Sequence, residues 1–174
     1  MIMENEEKMD VTGLSTASNK KEAEYDLVKS LLEAADFRNS EDLITKIEIK
    51  RAGKFLFEFR VRPLGDEEGR TIRKKATKYM PNPNGKKLPP IEKEFNSALF
   101  HSWMIYTATV EEDKQRIWGN KTVMEKYDCM QPVDMVDILL RSGEKMQVAE
   151  IISDISGMSD DDDSVVVEEY AKNS

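Results

Sequence analysis

The sequence predicts an α+β, helix-rich fold with one N-terminal antiparallel β-hairpin packed on helices and a helical C-terminal half. Three observations predict it. Two adjoining stretches, 43–51 and 55–62, alternate apolar and polar residues with period two around a short glycine-containing link. An apolar stripe at helical spacing precedes them. From residue 91 on, several further stripes at helical spacing follow, separated by Gly, Pro and Asn.

The chain has 174 residues, enough for one domain with a short segment at each end. A domain of this size buries roughly two thirds of its unfolded surface. Residues 1–21 are polar, with few large apolar side chains, and read as a disordered N-terminal arm. Residues 22–158 read as a single α+β domain. Residues 159–174 open on Asp160 to Asp163 and read as a flexible acidic tail, in which Val165, Val166 and Val167 could dock locally.

Within the domain, a first helix is expected over 21–36, where Leu27, Val28, Leu31, Leu32 and Ala35 form one stripe. In the hairpin, Ile47 and Ile49 alternate with Lys46, Glu48 and Lys50, while Phe55, Phe57, Phe59 and Val61 alternate with polar partners. One face thus carries three phenylalanines and needs a cover, for which the first helix is the natural candidate. Residues 67–78 suit a basic helix with Arg70, Arg73, Lys74, Lys75 and Lys78. The prolines between 81 and 90 make an extended loop.

Helix is expected again from Ile91, with Phe95, Leu99, Trp103 and Tyr106 on one stripe. Shorter helices are expected over 111–118, 121–129 and 133–141, the last opened by Pro132. A final helix over 144–156 packs Val148, Ile151, Ile152 and Ile155, and Gly157 sits where a left-handed cap belongs.

Composition excludes several kinds of chemistry. One cysteine, Cys129, leaves no internal disulfide and no multi-cysteine metal site, and the single His101 has no second histidine beside it. Neither has the partners a nucleophile or general base requires. No phosphate-binding glycine loop, nucleophile elbow or HExxH motif occurs. Four consecutive aspartates lack the alternation of a calcium loop. No enzyme, cofactor or metal is expected. No apolar run approaches the roughly 20 residues that span a bilayer, and the opening MIMENEEKMD has no signal core, so a cytosolic location is expected.

Net charge is −8 but uneven: residues 46–87 hold 13 Lys+Arg against 5 Asp+Glu, the remainder 13 against 29. A basic segment beside phenylalanines allows an alternative reading as a nucleic-acid-binding regulator. Stacking would expose the apolar face, and overall acidity opposes phosphate binding. Partner binding through protein surfaces is the preferred reading. Trp118, after a charged helix and before Gly119, suits either an interface anchor or the core. With Tyr106, Met104, Met124 and Met135 it makes up the expected partner-binding set.

The order of motifs in the C-terminal half carries a resemblance. Ile105-Tyr106-Thr107-Ala108-Thr109-Val110 is followed by Ile117-Trp118-Gly119-Asn120-Lys121, Pro132, Asp137-Ile138-Leu139-Leu140 and Gly143-Glu144. Ile151-Ile152-Ser153-Asp154-Ile155-Ser156-Gly157 and Glu169-Tyr170-Ala171-Lys172-Asn173 close the series. Together with the Phe-rich hairpin and Arg73-Lys74-Lys75-Ala76-Thr77-Lys78, this resembles the XkdN-like tail assembly chaperones of long-tailed phages, from about Leu27 to Asn173. The resemblance implies a non-enzymatic protein that binds and solubilises the tape measure protein and helps recruit tail tube subunits. It also implies action in the bacterial host cytoplasm, absence from the mature virion and, in some members, a longer frameshifted product. Self-association is a further expectation.

Overall fold

The computed structural model describes residues 12–37 and 41–158. The chain divides into two compact units, the first ending at Ser40 and the second starting at Glu41. In the first unit, helix α1 runs Thr12–Phe37. It begins nine residues before the expected start at Lys21, so the segment expected to be a disordered arm is helical from Thr12. The Ser, Thr and Ala residues there carry no proline to stop a helix. The remaining arm and tail residues, 1–11 and 159–174, lie outside the described residues.

In the second unit, strands β1 (Thr45–Arg51) and β2 (Lys54–Val61) form the expected hairpin. Ile47 faces Phe59 and Ile49 faces Phe57. Ala52 and Gly53 make the turn at φ +50° and +76°, the left-handed pair that matches strand twist. A bulge after Ile49 sets Phe55 opposite Lys50 instead of Arg51. Phe55 therefore leaves the core face and is half exposed, so two phenylalanines line that face where three were expected.

The expectation of a single hairpin is corrected. Helix α2 (Asp66–Ala76) ends two residues early, and Thr77–Met80 becomes strand β3. It pairs antiparallel with β4 (Ile91–Phe95), so the fold holds two separate two-stranded sheets. The expected helix from Ile91 is a strand for its first five residues. Ile91, Lys93 and Phe95 alternate with Glu92 and Glu94, a period of two that the downstream helical stripe conceals. Glu94 meets Lys78 across the pair at 3.0 Å, and Glu92 meets Arg73 at 3.5 Å. Asn96 then caps helix α3 (Ser97–Ala108), its Oδ1 accepting from the Leu99 N–H.

Helix α4 (Glu111–Asp113) runs into a π turn at Lys114–Trp118. Helices α5 (Lys121–Lys126), α6 (Asp134–Leu139) and α7 (Ser142–Ile155) complete the unit. Gly157 closes α7 at φ +67°, with the Met158 N–H returning to Ser153 O. The apolar face of the first hairpin is covered by these later elements. Phe59, Val61, Ile105, Trp118, Met135, Val136 and Ile152 are buried in one cluster with Ile47, Ile49, Val148 and Ala149. Backbone bonds from Arg62 N–H to Ala108 O and from Val110 N–H to Arg60 O join β2 to the end of α3. That junction carries the chain directly across the hairpin and delivers Trp118 onto its face.

Arg51 ties β1 to the start of α7. Its guanidinium donates to both Glu144 carboxylate oxygens at 2.9 and 2.8 Å and to Leu139 O at 2.6 Å. Glu144 also accepts from the Arg141 N–H, completing a cap. Hydrogen bonds from Arg51 hold the Glu144 carboxyl down at about 2, below its ordinary 4.5. A depressed carboxyl stabilises the fold above its unfolded pKa, and that stability is lost as pH falls through the folded value. Glu144→Gln is thus expected to cost about 1–2 kcal/mol at pH 7, after allowance for solvent screening. In urea unfolding the gap to the wild type should narrow between pH 5 and 2. A gap independent of pH would rule out this linkage.

Candidate partner-binding surfaces

The residues expected to contact a partner are distributed differently from that expectation. Trp118 and Met135 are fully buried and Met104 is 6% exposed. Trp118 stands edge-on to Phe59 at 5.2 Å and to Phe57 at 6.3 Å, and its indole N–H donates to Thr109 Oγ1 at 2.9 Å. These three side chains form core and present no surface to a partner; the anchor reading of Trp118 gives way to the core reading. Tyr106 and Met124 are partly buried against the same core. Tyr106 packs edge-on to Trp103, whose ring carries the Lys75 ammonium at 3.6 Å. His101 is partly buried, and burial followed by the Lys145 charge holds it below its ordinary pKa. Cys129 Sγ donates to Gln131 O at 3.1 Å.

Two other surfaces carry groups of exposed apolar side chains. The first is α1. Tyr25, Leu27, Val28, Leu31, Leu32 and Phe37 are all more than half exposed. Leu27, Val28, Leu31 and Leu32 lie on one stripe because residues three and four apart share a face. Lys20, Lys21 and Lys29 alternate along the helix with Glu24, Asp26, Glu33 and Asp36. At 1.5 Å per residue the helix is roughly 39 Å long. Such a face matches an apolar seam on another helix.

The second surface is the β3–β4 sheet. Tyr79, Met80, Leu88, Ile91 and Phe95 are exposed on it. A groove of about 550 Å³ opens among Tyr79, Met80, Pro81, Asn82, Lys86, Leu88 and Pro90. Asn82 braces the loop, donating from its side chain to Pro89 O and accepting from the Asn84 N–H. Each strand has one neighbour among the described residues, so a backbone edge stays open on either side.

Much of the basic segment is neutralised within the molecule. Lys46, Lys50, Arg51, Arg60, Arg62, Arg73 and Lys78 each meet a carboxylate. Phe57 and Phe59 pack against Trp118, so they supply no stacking platform for bases. Arg70, Lys74, Lys86 and Lys87, with Lys93 beyond the segment, meet no carboxylate among the described residues. In the cleft lined by Arg60, Glu112, Asp113 and Arg116 these charges pair with one another. Among the described residues no cluster of His, Cys, Asp and Glu could hold a metal, and no helix is long and apolar enough to cross a membrane.

A family model described as phage XkdN-like tail assembly chaperone protein matches residues 18–171. Among solved structures, a crystal structure of the protein YqbN is similar at 15% identity and a TM-score of 0.39, covering 67% of this chain and 87% of that one. No curated protein matches the chain significantly.

Proposed function

The chain belongs to the phage XkdN-like tail assembly chaperone family, and we propose on that premise that it binds and solubilises the tape measure protein. It does so without catalysis, in the cytoplasm of the bacterial host, and it helps recruit tail tube subunits before the virion is complete. The observation that carries the reading is the exposed stripe of α1, Leu27, Val28, Leu31 and Leu32. A long helical client has apolar seams that must be shielded until its own partners arrive. A helix offering four large apolar side chains and both signs of charge suits that task by side-by-side packing. Exposed methionines elsewhere, such as Met130 and Met146, add adaptable contacts.

The test is co-expression with the co-encoded tape measure protein. The wild type is expected to hold the client in the soluble fraction as a joint complex on size exclusion. Leu27→Glu with Leu31→Glu should weaken that complex by at least about tenfold, near 1.4 kcal/mol. The unfolding midpoint of the second unit should stay unchanged. A client that stays equally soluble with the double variant would remove α1 as the binding face. A client that ignores the wild type would remove the reading altogether.

A further inference from the structure

A two-stranded ribbon is marginal by itself, and the β3–β4 ribbon is largely bare: every residue of β4 and the last three of β3 are exposed. Its apolar side chains lie on both faces. Tyr79 pairs with Glu92 and Met80 with Ile91, and consecutive residues of a strand point to opposite sides. A cover over one face leaves the other wet, whereas a third strand extends both.

The two edges of the ribbon differ. Lys93 is an extra residue in β4, without a partner between Glu92 and Glu94. Such a bulge disrupts the regular row of donors and acceptors and blunts an edge. β3 runs from Thr77 to Met80 without one and leads into the groove among Met80, Lys86, Leu88 and Pro90. The edge open to a further strand is therefore that of β3.

Charge dictates what such a strand must carry. Residues 69–95 hold 8 Lys+Arg against 2 Asp+Glu, while the rest of the chain holds 18 against 32. Both acids of this stretch are taken, Glu92 by Arg73 and Glu94 by Lys78. The first turn of α2 is acidic: Arg62 holds Glu68, while Asp66 and Glu67 stand one turn before Arg70 and offset its charge. The surplus sits at the other end, on Lys74 in the last turn of α2 and on Lys86 and Lys87 beyond β3. None of these three lysines meets a carboxylate among the described residues. Positive charge thus brackets β3 before and after it in the chain.

We infer that the β3 edge takes an extended acidic segment of a partner protein, added as a third strand. The segment's main chain bonds to that of Thr77–Met80, one of its apolar side chains enters the groove, and its carboxylates meet Lys74 and the Lys86–Lys87 pair. Asp66 and Glu67 limit its length, because they repel carboxylates carried on past Arg70. Main-chain bonds supply the affinity, and charge selects the partner and speeds encounter. A nucleic-acid strand would answer the lysines but leave the backbone edge and the apolar groove without partners.

Fluorescence polarisation on the full chain tests this, with a labelled peptide of about ten residues alternating Glu and Val as the probe. Binding at roughly 1–100 μM is expected at low salt, weakened at least about fivefold by roughly 0.5 M salt. Lys86→Glu with Lys87→Glu should weaken it at least about tenfold, with the thermal midpoint unaltered because both side chains are exposed. The same peptide methylated on alternate backbone nitrogens should also bind at least about tenfold more weakly. In hydrogen exchange, the unmethylated peptide should slow amides within 77–80 by at least about fivefold. Absence of binding, or equal binding by the methylated peptide or to the charge-reversed variant, would overturn the inference. So would a single-stranded oligonucleotide of equal charge that binds as tightly, which would make this a nucleic-acid surface. Amides of 77–80 already as slow without peptide would mean that the edge is taken, and that too would overturn it. Dependence of that slowness on protein concentration would point to a second copy, and independence to a segment of the same chain. No client enters the experiment, so its failure leaves the tape measure reading standing.

Discussion

Trp118→Ala is expected to lower unfolding free energy by about 3–5 kcal/mol, the range for removing a large buried aromatic. The indole is fully buried, stands edge-on to Phe57 and Phe59, and donates its N–H to Thr109 Oγ1. Alanine would leave a cavity where the first hairpin, α3 and the π turn meet. Thr109 still donates to Ile105 O at 2.6 Å, so the hydroxyl keeps one partner and the cavity dominates the cost. With a urea dependence of roughly 2 kcal/mol per molar, the midpoint should fall by about 1.5–2.5 M. Trp118→Phe keeps an aromatic edge contact and loses only the hydrogen bond and part of the volume, so it should cost less than half as much. A midpoint for the alanine variant within about 0.3 M of the wild type would mean that Trp118 lies at the surface. Any loss of client binding by this variant would follow from unfolding, which is why α1 variants are the cleaner probe of function.

Asp113→Ala should cost about 2–4 kcal/mol, the second largest effect. The carboxylate is buried at the edge of β2, accepting from Arg60 N–H at 2.8 Å, Arg60 Nε at 3.0 Å and Arg116 at 3.1 Å. It joins the hairpin to the π turn that delivers Trp118. Alanine removes all three bonds. Arg60 keeps a link to Glu112 at 2.9 Å, but that carboxylate is exposed and screened. Burial pushes the Asp113 carboxyl up, and hydrogen bonds from Arg60 and Arg116 outweigh it, leaving the group below its ordinary value. The sign follows from linkage: this stability is present above the unfolded pKa and disappears as pH falls through the folded one. Asp113→Asn should therefore be less stable than the wild type at pH 7, with the gap closing below about pH 4. Thermal unfolding of the pair across pH 3–7 checks it, and a gap that widens on acidification would contradict the assignment.

Among the described residues, buried charge recurs at one other place. Lys145 is buried in α7 and its ammonium bonds to Asp137 of α6, which Ser102 of α3 also meets at 2.9 Å. Three helices thus share one polar contact whose partners are 35 and 8 residues apart. No local pattern announces such a contact. Lys145 reads as an ordinary surface position in the sequence, and only the facing carboxylate makes its burial tolerable.

Local patterns were legible where the physics is local. Period two in 45–61 and a glycine link specified the first hairpin, though not which residues pair across it. Gly157 took the left-handed cap because it alone lacks the Cβ that opposes positive φ. The stripe of α1 was visible for the same reason, and the order of motifs from Ile105 to Gly157 carried the family. The bulge after Ile49 was not legible, and it moved Phe55 to the outside.

What the sequence by itself determined is therefore the period of the first hairpin and of the α1 and α7 stripes, the left-handed cap at Gly157 and the family to which the chain belongs. Tertiary structure alone decided which apolar groups meet. Trp118 reached the core because the β2–α3 junction lays the π turn across the hairpin. β3 and β4 paired across ten intervening residues, four of them proline. A periodic pattern marks a face as apolar, but its cover comes from residues far along the chain, selected by shape and by the hydrogen bonds that bring them there.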